Sequence, residues 1–432
     1  MPDLSEEVML PIIFVHGFAG SGAQYESQAM RFASNGYPAD RIVAFEYAGV
    51  APHDPDQLDS FIDDVLDRFD VDQVYLIGHS MGTAIAQPTL GAPWMALVPG
   101  YQGYLADPER ATKVAKLIAI DGGGRPDCPM EIPCMGIWDK TGPTAVMGEN
   151  NVHIDNQAHV QVATSAESFA AQFEFLTGVE PVRTSILPEE GEVDVSGRAV
   201  FFPENVGAAG STLRVWAVDA DDGARLESEP LATFEIAADG AWGPAKLDPQ
   251  AHYEIELLRP GRATHHFYRQ PIMRSSQLVR LNTSRAGSDI EINTNTGEHH
   301  TALVINREKE WWTDHSSGQN DVLEVSTHSG LWGEQPAENI LSSAMGDGNL
   351  AIHAHEDAST PAVSTLELLP YFHAQAFQTG VALYMPAATP PDGHISLVSS
   401  PRGDDTRQQV INVPNWASSD HRVSVTFRDW VE

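Results

Sequence analysis

Five short, nearly unbroken apolar runs punctuate the first third of the chain: Pro11–Val15, Val43–Tyr47, Val74–Gly78, Leu117–Ile120 and Met135–Trp138. A strand that faces water on one side alternates apolar and polar residues, so unbroken runs imply strands covered on both faces. Between them lie helical patterns, such as Leu58, Ile62, Val65, Leu66 and Phe69 at spacings of three and four. This alternation predicts βαβ units and a mostly parallel sheet covered by helices. A last helix is expected from about Ser165 to Leu176. Thr164 and Glu167 would form its capping box, Phe169, Phe173 and Leu176 its buried face, and Gly178 its stop.

Beyond a loop containing Pro181 and Pro188 the pattern changes. Leu213–Val218 and Tyr253–Leu257 alternate, and similar stretches recur at 302–305, 322–325, 350–353, 381–385, 395–398 and 423–427, separated by turn residues. Short strands of this kind predict all-β sandwiches. The expected division is residues 1–180 as the α/β domain, 185–270 as a small β domain and 271–432 as a second.

A formal charge of −35 argues against nucleic acid as a partner, because phosphate contacts need clustered Lys and Arg. It also opposes binding to anionic membranes, and no apolar run approaches the roughly 20 residues of a transmembrane helix. Lysine occurs only at 113, 116, 140, 246 and 309, a composition that suits salty surroundings, where ions screen self-repulsion. The N-terminus shows no signal peptide, which fits a cytosolic protein or a mature exported one. Cys128 and Cys134 are too few for a zinc site; a short disulfide loop is expected, and with it export.

The chemistry concentrates in the first 178 residues. Gly78-His79-Ser80-Met81-Gly82 directly follows an apolar strand and precedes Thr83-Ala84-Ile85-Ala86, the strand–turn–helix setting of a G-x-S-x-G nucleophile elbow. Ser80 is thus the candidate nucleophile, and the Met81 N–H an oxyanion donor. His16-Gly17-Phe18-Ala19-Gly20 follows the first strand, and the Phe18 N–H is the expected second donor. His16 and His79 read as structural. The base should follow the nucleophile in chain order; His159, in a loop before the capped helix, is preferred over His153, which sits in an apparent strand. For the acid, Asp121 and Asp139 each end an apolar run, and periodicity does not separate them. Asp219-Ala-Asp-Asp-Gly223 reads as a turn rather than a calcium loop. His265/His266, His299/His300 and His353/His355 read as strand or turn residues without a carboxylate framework. No metal or cofactor is expected.

In these stretches the chain resembles α/β-hydrolase lipases, and among them a branch of archaeal long-chain lipases with a C-terminal β-rich lipid-binding region. The likeness rests on Phe14–Ser21, Glu26–Ala33, Gly78–Thr83, 108–122, Asn156–Phe175 and, at the far end, Val413–Ala417 and Asp420-His421. It implies a serine ester hydrolase acting on acylglycerols, with Asp121 as the acid and the β region binding a lipid or polymer surface. Deleting residues 185–432 should then harm insoluble substrates more than soluble ones. The branch has a large lid after the Phe45-Glu46-Tyr47 strand; here only residues 48–57 intervene. The extra length instead follows the elbow, at 87–104, where Trp94, Met95 and Leu97 are candidate pocket residues. Shorter-chain carboxylesterase or polyesterase activity fits the same motifs. A lipid- or glycan-binding β protein with an inert hydrolase scaffold is the alternative from another class.

Overall fold

The computed structural model describes residues 4–5, 8–86, 101–139, 147–313, 319–404 and 406–430. The chain packs into two units. The first comprises Met1–Glu189 with Ser196–Val206 and Arg274–Arg280; the second comprises Glu190–Val195, Gly207–Met273 and Leu281–Glu432.

The first unit contains, in chain order, β1 (Ile12–Val15), α1 (Glu26–Ser34), β2 (Ile42–Phe45), α2 (Pro55–Phe69), β3 (Val74–His79), α3 (Pro108–Ala111), β4 (Val114–Ile120), β5 (Cys134–Trp138), β6 (Asn150–His153), α4 (Gln161–Thr164) and α5 (Ala166–Thr177). The six strands β1–β6 form one sheet in the order β2-β1-β3-β4-β5-β6, every pair parallel. The apolar runs are strands because both faces are covered. Leu58, Ile62 and Val65 of α2 pack with Ile13 and Val15 on one side. Phe32 of α1 and Phe169, Phe173 and Leu176 of α5 pack with Ile12 and Phe14 on the other. Full burial of each such side chain is worth about 1.5–3 kcal/mol. The cap of α5 differs from expectation by one residue. Ser165 accepts the Ser168 N–H at 3.2 Å, while Thr164 closes α4. The chain runs from β1 out to the edge at β2 and then crosses back to β3. The order therefore reverses between β1 and β3, and in open parallel sheets ligands bind outside the carboxyl ends of strands at such a point.

In the second unit, eight strands form one sheet in the order Ala232–Glu235, Thr212–Val218, His252–Leu258, Thr264–Arg269, His421–Thr426, Leu303–Trp311, Asn349–His355 and Gln378–Ala382. Four precede residue 270 and four follow it. The two sets join where Thr264–Arg269 runs parallel to His421–Thr426, so the stretches expected as separate β domains share a sheet within one unit. A second sheet takes the order Gly333–Asn339, Val322–Ser329, Gly393–Ser400 and Gln409–Pro414. The hairpin at its edge ends in a turn that exposes Leu331 (76%) and Trp332 (52%). That turn is tied down by Asp392, whose carboxylate accepts the Leu331 N–H at 2.7 Å. No helix among the described residues is long and apolar enough to cross a membrane.

Candidate active site

The carboxyl ends of β1 and β3 flank the reversal in strand order, and each carries a tight turn. After β3, Ser80 has φ 52°, a left-handed conformation that an ordinary side chain adopts only where packing enforces it. The enforcement is visible in the glycines. A Cβ on Gly82 would collide with the Val15 and His16 carbonyls, and one on Gly78 would meet Gly82 and Thr83. A Cβ on Gly17 would lie 2.8 Å from Ser80 Cβ and 3.3 Å from its Oγ. The β1 loop therefore runs directly beside the serine, and the G-x-S-x-G spacing is a packing requirement. The short 3₁₀ helix Ser80–Ile85 starts at the turn. Among the described residues neither the Phe18 N–H nor the Met81 N–H meets a protein acceptor. Phe18 is half-exposed and Met81 is buried.

At the carboxyl end of β4, Asp121 also has positive φ, 41°. Its Oδ2 lies 2.5 Å from His159 Nδ1, while its Oδ1 accepts the Asp139 N–H at 3.3 Å. Since a carboxylate only accepts, Nδ1 carries a proton, which in the neutral ring leaves the lone pair on Nε2. Burial pushes the Asp121 carboxyl up. The hydrogen bond from His159 and its charge outweigh burial, and the carboxyl is held below the usual range. His153 lies on β6, as expected. Asp139 presents its backbone to Asp121; its neighbour Lys140 and the pocket candidates Trp94, Met95 and Leu97 lie outside the described residues.

Two histidines read as structural occupy this region, and both are tied into it. His16 is fully buried and stacks on Tyr47 at 4.1 Å; its Nδ1–H donates to the Gly17 carbonyl at 2.9 Å. His79 lies between Gln24 and the main chain of His159. Burial pushes both imidazoles down to about 3. Reading the sequence alone missed the supports that come from far along the chain. Asn205 Nδ2 donates to the Gly20 carbonyl at 3.2 Å and to the Tyr47 carbonyl at 2.8 Å. Arg280, 2% exposed at its side chain, pairs with Glu46, which also accepts the Gly22 N–H at 2.8 Å. These residues belong to the first unit by packing, although they fall in the expected β region.

Away from the serine, Cys128 and Cys134 form the expected disulfide, and Gly148 lies where any Cβ would strike both sulfurs. Asp219–Gly223 is a turn, its first and fourth residues holding N–H groups two positions on. The expectation that the paired histidines lack carboxylates is corrected. His266 Nδ1 lies 2.6 Å from Glu254, and His300 Nδ1 2.6 Å from Glu356. Such partners come from neighbouring strands or distant loops, invisible to spacing. Glu254, Glu256 and His266 lie close enough to grip an ion. Arg225, however, already bonds both carboxylates, at 2.6 and 2.8 Å, and supplies the positive charge a metal would bring. A recess of about 600 Å³ between β2 and α2, lined by Phe45, Glu46, Asp56, Phe61, Asp64 and Arg198, contains none of Ser80, Asp121 or His159.

Comparison with known proteins agrees with this architecture. Residues 11–90 match the alpha/beta hydrolase fold family, residues 191–286 the Lipase C-terminal domain, and residues 289–431 a further C-terminal domain family. No curated protein matches. Solved structures similar to the chain include a gene product of Listeria innocua (15% identity, covering 40% of this chain and 96% of that one, TM-score 0.27). An extracellular alpha/beta-hydrolase from a Paenibacillus species has 11% identity, 39% and 98% coverage and TM-score 0.25. An acetylxylan esterase has 15% identity, 39% and 99% coverage and TM-score 0.26. The chain has an N-terminal α/β-hydrolase fold followed by β-rich regions, of which residues 191–286 are similar to the C-terminal domain of lipases.

Proposed function

We propose that the protein is a serine ester hydrolase in which Ser80 is the nucleophile, His159 the general base and Asp121 the acid. The observation that carries this reading is the 2.5 Å contact of His159 Nδ1 with Asp121, in a unit whose Ser80 is held at positive φ beside the Gly17 loop. With Nδ1–H committed to Asp121, His159 Nε2 takes the Ser80 proton as Oγ attacks the ester carbonyl. The tetrahedral oxyanion accepts the Phe18 and Met81 N–H groups, the alcohol leaves, and water hydrolyses the acyl-enzyme. Loss of one such donor costs about 3 kcal/mol, roughly a hundredfold in rate. No step needs a metal or cofactor. Acylglycerols are the proposed substrates and a neutral lipid surface the proposed partner. The match to a lipase C-terminal domain and the exposed Leu331-Trp332 turn support both. The disulfide supports export to an oxidising compartment.

A fluorophosphonate should label the protein covalently and fail to label Ser80→Ala. Labelling that persists in Ser80→Ala, or never occurs in the wild type, sinks the assignment and favours a binding role. A rate series over p-nitrophenyl esters of increasing acyl length, beside emulsified triglyceride, separates lipase from short-chain carboxylesterase.

A further inference from the structure

His79 precedes the candidate nucleophile, yet its hydrogen bonds reach in two other directions. Nε2 lies 2.8 Å from the main-chain carbonyl oxygen of His159, 80 residues away. Nδ1 lies 2.7 Å from Nε2 of Gln24, 55 residues away. The chemistry of the partners determines the tautomer. A carbonyl oxygen only accepts, so Nε2 carries the proton; Nδ1 then holds a lone pair, which accepts a hydrogen of the Gln24 amide. The imidazole is 2% exposed, and its ring packs 4.6 Å from that of His159 at 42°. Burial keeps it neutral at ordinary pH, so the single-proton arrangement persists. His159, Asp121 and His16 are the titratable groups whose charges act on it.

Each bond leads to a separate part of the site. Gln24 belongs to the 3₁₀ turn Gly22–Tyr25, directly after the loop that carries Phe18. His79 itself adjoins Ser80 through one peptide bond. The His159 carbonyl belongs to the loop that delivers the base. One side chain thus joins the donor loop, the serine turn and the base loop. We propose that His79 is a positioning residue, setting the distance between Ser80 and the His159 imidazole by anchoring the His159 main chain to the elbow, with Gln24 holding the other side of its ring. This rests on the reading of Ser80 and His159 given above. His79 touches no reacting atom; a displacement of the base by about 1 Å is enough to cost about a hundredfold in turnover.

The test uses the full-length protein, with thermal unfolding followed for each variant and a soluble p-nitrophenyl ester as substrate. His79→Leu keeps a buried apolar side chain and removes both hydrogen bonds. Its kcat should fall about a hundredfold with KM within about twofold, and fluorophosphonate labelling should slow in parallel. His79→Gln, whose amide N–H can reach the position of Nε2–H, should recover at least about tenfold of that loss, a rescue that bulk packing would not produce. If His79→Leu does not fold, Gln24→Leu decides, with about a tenfold fall in kcat expected. A His79→Leu enzyme within about threefold of wild-type kcat, a Gln variant no better than Leu, or an unaltered Gln24→Leu would each overturn the proposal. Ser80→Ala run alongside separates the two readings. If it no longer labels while His79→Leu turns over normally, only the positioning role falls; if it still labels, the triad falls first.

Discussion

At the scale of single residues, the main question left by the sequence is which carboxylate serves the base. Both Asp121 and Asp139 end apolar strands, and strand periodicity locates a strand's end without saying where the side chain beyond it points. Their hydrogen bonds differ, and the difference favours Asp121 in the proposed triad. Asp121 offers a side-chain oxygen to His159, whereas Asp139 offers its backbone N–H to Asp121. Asp121→Asn should therefore reduce kcat by about 10⁴-fold, because an amide in that place permits the wrong imidazole tautomer. Asp139→Asn, which keeps the backbone donor, should cost less than about tenfold in the same ester assay; the reverse ranking would transfer the role. The sequence could propose Ser80 and His159 because the elbow is a local pattern and a base is sought after it in chain order. His79 was not legible as more than packing, since its partners lie 55 and 80 residues away.

At the scale of elements, runs and alternation located the strands, but not their partners. Nothing in the alternation of Thr264–Arg269 announces that it lies parallel to His421–Thr426. The same blindness hid Ser196–Val206 and Arg274–Arg280 inside an apparent β domain, although they pack in the first unit. Their consequence is testable. Asn205→Ala should lower turnover of soluble esters about tenfold by releasing the Gly20 and Tyr47 carbonyls beside the donor loop. Arg280→Met should destabilise the unit by up to about 3 kcal/mol, because it leaves the partly buried Glu46 without this cation. A chain stopped at Glu189 should accordingly lose soluble-ester activity too, contrary to the selective loss expected from the sequence. Full activity in that fragment would show these supports to be dispensable. The Leu331-Trp332 turn predicts the opposite selectivity. Replacing both with Ser should leave soluble-ester rates unchanged and slow hydrolysis of emulsified triglyceride severalfold, since Trp and Leu favour the water–lipid boundary. Equal rates on the emulsion would remove the turn from surface binding.

At the scale of the whole molecule, buried histidines govern the response to acid. His16, His53 and His79 are pushed down to about 3, His353 and His421 to about 4, each chiefly by burial. In the unfolded chain these groups titrate near 6.5, so below that pH the unfolded state binds more protons than the folded one. Stability is complete above about pH 6.5 and is lost as pH falls towards the folded values, each proton steepening the decline by ~1.4 kcal/mol per pH unit. Melting temperature should therefore drop steadily from pH 6.5 to 4; a flat profile would show that these imidazoles titrate normally. The charge of −35 acts in the same assay through salt. Added sodium chloride should raise the melting temperature at pH 7 by screening self-repulsion, and a decrease would argue against adaptation to saline surroundings.

The order in which the chain visits its two units has an evolutionary consequence. It leaves the first unit after Glu189 and returns to it twice before ending in the second. Exchanging the second unit by splicing a new tail onto the gene after Glu189 would strip Asn205 and Arg280 from the first. A replacement in the second unit that spares these supports has to fall in the stretch between Val206 and Arg274, or in the one after Arg280, with both return passages kept intact.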